Sequence, residues 1–135
     1  MRKAAAVGLP VAFAALIAVE VRIAAIAEYL PTDPGFRVDV TVQPPGGGHQ
    51  PPLGLVVLGD STAAGVGAGT VERALPVLVA ERVAADLGRA VHVVGHGRAG
   101  ARTETVRLQQ VPTLARQGID AVVILVGSND VTHLT

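Results

Sequence analysis

Polar and apolar positions divide the chain into three stretches of different rhythm. Met1-Arg2-Lys3 precedes an apolar run from Ala4 to Val19, followed by Glu20-Val21-Arg22 and then Ile23 to Ala27. A positive start ahead of an apolar segment is the pattern of an export signal or a signal anchor. The uninterrupted run falls short of the ~20 residues that span a bilayer. Carrying the helix on to Ala27 reaches that length but brings Glu20 and Arg22 to the interface, where charged groups must snorkel. As an anchor, the segment keeps Arg2 and Lys3 on the cytoplasmic side. As a cleaved signal, it ends at the A-x-A-like Ala25-Ile26-Ala27 ahead of Glu28. A buried soluble helix is the third reading. The first two export the remainder, which is then membrane-anchored or secreted and in either case extracytoplasmic.

Tyr29 to Pro52 has neither rhythm sustained. Pro31, Pro34, Pro44, Pro45, Pro51, Pro52 and the run Gly46-Gly47-Gly48 deny it a regular ladder, so the stretch reads as a linker. The alternation from Phe36 to Val42 offers a short edge strand inside it, and His49 reads as a solvated loop residue. From Leu53 the pattern changes again. Leu53 to Leu58 is continuously apolar and closes at Gly59-Asp60, as a strand buried on both faces does. Pro76 suits the first turn of a helix, Leu75, Val79, Val83 and Leu87 recur at four-residue spacing, and Gly88 can cap the end. Val91 to Val94 is a second short strand. Thr103 reads as the N-cap of a helix from Glu104, broken or restarted at Pro112 and ended by Gly118. Ala121 to Val126 is a third apolar strand.

Strand and helix alternation of this kind predicts an α/β fold with a parallel sheet between helical layers. The organisation is a signal or anchor helix over 1–28, a linker over 29–52 and a globular part over 53–135. Right-handed crossovers put the carboxyl ends of the three strands on one sheet edge, where open α/β sheets bind ligands. Three strands alone would leave a sheet edge unpaired and a core half covered.

Composition narrows the chemistry. Half the residues are hydrophobic, the only aromatics are Phe13, Tyr29 and Phe36, and the formal net charge is zero. A core here must be built from Val, Leu, Ile and Ala. Zero net charge with Lys3 as the only lysine argues against a basic surface that binds nucleic acid, and no lysine past Lys3 is there to serve a P-loop. There is no cysteine, and no His, Asp or Glu cluster has ligand spacing, so neither a metal nor a cofactor is expected.

Three polar, glycine-bearing turns remain at the three strand ends. They are Gly59-Asp60-Ser61-Thr62, Gly95-His96-Gly97-Arg98-Ala99-Gly100 and Gly127-Ser128-Asn129-Asp130. A serine hydroxyl at a strand end is open to substrate. A glycine lets a backbone N–H approach a reacting oxygen, and an asparagine adds a further donor, so together they can stabilise an oxyanion. Ser61 does not sit in a G-x-S-x-G elbow, and Gly65-Val66-Gly67-Ala68-Gly69 lacks the spacing of a dinucleotide-binding turn.

In these turns the chain resembles the SGNH-type (GDSL-like) serine hydrolases. Val57-Leu58-Gly59-Asp60-Ser61 resembles their opening motif, Gly97-Arg98-Ala99-Gly100-Ala101 the second and Gly127-Ser128-Asn129-Asp130 the third. The resemblance implies a flavodoxin-like three-layer α/β/α fold, here incomplete. It also implies Ser61 as nucleophile, with the N–H groups of Ser61 and Gly100 and the Asn129 amide as oxyanion hole. Asp60, His96 and Asp130 are expected to border the substrate, Asp60 by shaping the nucleophile loop. The implied substrate is an acyl ester of a small molecule, lipid or carbohydrate. An acyltransferase of the same family, a non-catalytic α/β binding module and a membrane-tethered interaction protein are the alternatives. The family's base comes from an Asp-x-x-His motif near the domain's carboxyl terminus, after two further strands, whereas this sequence stops shortly after its third strand; His96 and His133 are weak substitutes, and His92 reads as structural. The expectation is therefore a fragment of a longer enzyme, inactive alone.

Overall fold

The computed structural model describes residues 15–23, 32–116 and 118–131. Residues 15–23 are helical; the rest of the amino-terminal segment, including Ala25-Ile26-Ala27, lies outside the described residues. Among the described residues no helix is long and apolar enough to cross a membrane.

The sheet has four strands in the order β1-β3-β2-β4: β1 is Asp39–Val42, β2 Leu53–Gly59, β3 Val91–Gly95 and β4 Ala121–Leu125. The three apolar strands read from sequence are parallel, Leu55 lying beside Val93 on one side and beside Ala121 on the other. The stretch expected as linker is not linker throughout. Its alternation is β1, antiparallel to β3 with Val40 opposite Val93, and Val38 is buried in the core. The prolines at 34, 44 and 45 flank this alternation without interrupting it, so the period of two survives.

The central strand owes its continuous apolar run to being covered on both faces. Leu55 and Val57 face one cluster, which includes Val77, Ala80 and Ala84. Val56 and Leu58 face the other, with Val106 and, packed against it, Leu114 and Ile119. The first layer is α2 (Leu75–Leu87), which follows the single turn α1 (Ser61–Ala64). Pro76 falls in its first turn as expected, and Gly88 at φ +59° ends it in the left-handed conformation.

The inward face of α2 differs from the expected one. Pro76, Val77, Ala80 and Ala84 are buried, whereas Val79 and Val83 flank them and Leu87 is 58% exposed. A strict four-residue spacing overruns a 3.6-residue turn by about 40° per step, so its fourth member has drifted off the contact face. Ala80 and Ala84 hold the face instead, and their small side chains let the helix lie close on the sheet.

The second layer is a helical run, α3, in three registers: Thr103–Thr105 is α, Val106–Gln110 is π and Val111–Arg116 is 3-10. Pro112 causes this. It has no N–H to continue an i to i−4 ladder, and the run changes register around it without stopping. Arg102, not Thr103, occupies the N-cap position. The Thr103 N–H and hydroxyl both bond to Asp130, which supplies across the fold the acceptor that a local cap would have given.

β4 departs from the burial expected of its apolar sequence: Val122 is 40% and Ile124 55% exposed. It is an outer strand, and the face that carries these two residues is not covered by α3 among the described residues. Stability therefore rests on β2. Truncating Leu58, fully buried, to alanine is expected to cost roughly 2–5 kcal/mol, since a void opens between sheet and α3. Urea denaturation with an unchanged m-value will measure it.

Candidate active site

β3 and β4 lie on opposite sides of β2, so the strand order reverses there and the loops after all three parallel strands open on one edge. The loop after β2 begins with Gly59 at φ +151°, a conformation that side chains oppose. Asp60 follows as the N-cap of α1, its Oδ1 accepting the Thr62 N–H at 3.0 Å, and Ser61 is the first residue of the helix.

Hydrogen bonds join every pair of the three loops. The first and third are joined by Ser128, whose hydroxyl donates to Asp60 Oδ2 at 3.0 Å. The Arg98 N–H donates to the Gly59 carbonyl at 3.0 Å, joining the second to the first. Asn129 Nδ2 donates to the Ala101 carbonyl at 3.0 Å, joining the third to the second. A fourth bond runs from the Thr103 hydroxyl to Asp130 at 3.0 Å. Gly97 adds close packing, because a Cβ there would collide with the backbone of Ala63 and Ala64 in α1.

Gly100 is demanded by conformation alone. The Ala101 N–H returns to the Arg98 carbonyl at 3.0 Å, closing a turn whose third residue is Gly100 at φ +74°. Positive φ at that position is the glycine requirement of a type II turn. A Cβ on Gly100 would meet nothing within 4 Å, so the turn presents its backbone to open space.

Ser61 borders a groove of about 440 Å³ with Thr62, Val66, Ala68, Arg73 and Leu75. The Glu72 carboxyl beside Arg73 is held below its ordinary range by hydrogen bonding to its own backbone, and then by the Thr70 side chain. His96 opens elsewhere, onto a hollow of about 550 Å³ shared with Phe36, Arg37 and Ala64. Asp60, buried at 6% exposure, has both carboxylate oxygens engaged within the protein, and the Asp130 carboxylate is engaged with Thr103. The geometry thus makes these two carboxylates ties between loops; the expectation that they border substrate gains nothing from it. His92 lies on β3, an inner strand, with its Nε2 3.0 Å from Asp39 Oδ1. His49 is exposed, as expected, and His133 lies outside the described residues.

Sequence reading missed Ser128 and Gln110. Gln110 sits four residues after Val106 and four before Leu114, a polar side chain interrupting an inward apolar spacing. Such an interruption in a buried helix face was the available signal, since buried polar groups are hydrogen-bonded.

The GDSL-like Lipase/Acylhydrolase family model matches residues 57–135, more than half of the chain. This chain belongs to the GDSL-like lipase/acylhydrolase family. The match begins inside β2 and takes in all three of the loops tied together above. No curated protein and no solved structure matches the chain significantly. Membership of the GDSL-like family carries hydrolase activity in general, while the roles of individual residues rest on chemistry.

Proposed function

We propose that the joined loops form the acyl-transfer site of an ester hydrolase with Ser61 as its nucleophile. The observation that carries this reading is the set of bonds linking each loop to the other two, since an oxyanion hole needs donors from separate loops held in fixed relation. Ser61 Oγ attacks the ester carbonyl carbon and its proton passes to a base. The carbonyl oxygen, now an anion, is met by the N–H groups of Ser61 and Gly100 and by the Asn129 amide. Collapse expels the alcohol and leaves an acyl-serine, which water hydrolyses by the same route. The Ser61 groove is walled by Val66, Ala68 and Leu75, with Arg73 the one cation among the described residues that line it, which suits an apolar acyl chain or small alcohol. No histidine among the described residues lines the Ser61 groove, so this reading takes its base from a histidine outside them. Reading the amino-terminal segment as a signal or anchor puts this chemistry outside the cytoplasm; mass spectrometry of the mature amino terminus tests that part.

The deciding experiment uses the full-length protein and a fluorophosphonate probe, with the modified peptide mapped by mass spectrometry. Label on Ser61 is the expected result. Label on a different serine, or none under conditions where the protein is folded, rejects the proposal.

A further inference from the structure

We infer that Gln110 is a positioning residue for the Ser61 nucleophile, an inference that rests on the reading of Ser61 given above. Among the described residues only Asp60 and Gln110 are polar and buried, each at 6% exposure. Asp60 belongs to the nucleophile turn itself. Gln110 comes from the far layer, fifty-one positions along the chain, and gives its whole side-chain amide to one residue. Its Oε1 accepts the Gly59 N–H at 2.8 Å, and its Nε2 donates to the Gly59 carbonyl at 2.8 Å.

The reason Gly59 needs such a partner lies in the sheet. On the β3 side, the Val57 carbonyl accepts the His96 N–H, and two residues on, the Gly59 carbonyl accepts the Arg98 N–H. β3 has ended at Gly95, so the ladder there has run out of strand. Gln110 takes the Gly59 N–H instead and adds a second donor to the Gly59 carbonyl. A side-chain amide carries the same donor and acceptor pair as a peptide, so it can stand in for the missing strand residue. It thereby fixes the peptides on both sides of Gly59, immediately before Asp60 and Ser61.

The π turn makes this reach possible. The Val111 N–H bonds to the Val106 carbonyl, five residues back, so the turn holds one residue more than an α turn. Val106 before it and Leu114 after it still face the apolar cluster, while Gln110 is directed at the strand end.

The Ser61 N–H, an oxyanion donor in the proposed reaction, is two peptides beyond Gly59. Misplacing a reacting group by about 1 Å costs on the order of 100-fold in rate. Gln110→Met, close to glutamine in length and volume but without the amide, is therefore expected to lower kcat on short p-nitrophenyl esters by about 100-fold with KM little changed. Amide hydrogen exchange at Gly59 should accelerate in the same variant while Leu55 to Val57 stay protected. If Gln110→Met fails to fold, Gln110→Glu is measured in the same way; it keeps the acceptor for the Gly59 N–H and loses the donor to the Gly59 carbonyl. Wild-type turnover with an unchanged kcat in the folded variant overturns the role of Gln110 and leaves Ser61 as nucleophile. A folded wild-type protein that neither turns over ester nor takes label at Ser61 overturns both.

Discussion

Replacing Gly59 by alanine is expected to destabilise the protein by roughly 4 kcal/mol or more and to abolish labelling at Ser61. Two causes add. At φ +151° an alanine is held where L side chains rarely go, at a cost of about 1–3 kcal/mol. Its Cβ would also collide with the Leu125 carbonyl oxygen, a backbone atom of β4 that cannot rotate away. That same oxygen accepts the Asp60 N–H at 3.1 Å, so a retreat of β4 breaks a bond of the nucleophile turn, worth about 1 kcal/mol more. Gly69→Ala is the control. Gly69 has φ +78°, but a Cβ there meets nothing within 4 Å, so only the conformational cost of about 1–2 kcal/mol applies. Denaturant midpoints for the two variants separate strain from collision. Equal midpoints would show that β4 yields freely at Leu125.

Ser61→Ala is expected to do the opposite: activity falls by on the order of 10⁴- to 10⁶-fold while stability moves by less than about 0.5 kcal/mol. Asp60 caps α1 through the Thr62 N–H and receives its second bond from Ser128, so neither tie passes through the Ser61 hydroxyl. Alanine is also a favourable residue at the start of a helix. Ester turnover and thermal melting on the same preparation check both halves. A large drop in melting temperature would mean that Ser61 is part of the framework, and retained turnover would remove it as nucleophile.

Much of this arrangement can be read from the amino acids in order. The run from Leu53 to Leu58 announced a doubly covered strand, and the three glycine-bearing turns fell where strands ended. What stayed hidden depended on partners distant in sequence. β4 is as apolar as β2, yet Ile124 is exposed and Leu58 is not, because among the described residues coverage by α3 stops short of β4. On α2 the four-residue spacing of Leu75, Val79, Val83 and Leu87 marks a face that the contact does not follow: Val77, Ala80 and Ala84 meet the sheet, and the small size of the alanines matters only against a sheet already in place. The same holds for Thr103, which looked like a local cap and instead binds Asp130, and for Gln110, whose purpose appears only when Gly59 is beside it. Period and turn chemistry are local properties; satisfaction of a lone donor or acceptor is not.

Because each strand-end loop is gripped by the other two, the edge should respond to damage as one unit. Loss of Ser128 frees an Asp60 oxygen that the Asn129 to Ala101 link cannot replace, yet both links share the short helix that carries Ser128 and Asn129. Perturbing either therefore loosens the other, and paired substitutions should fall short of, or exceed, the sum of their single effects. Evolution of such an edge is constrained to correlated change: a new residue in any one turn is tolerated only when its two neighbours already accommodate it.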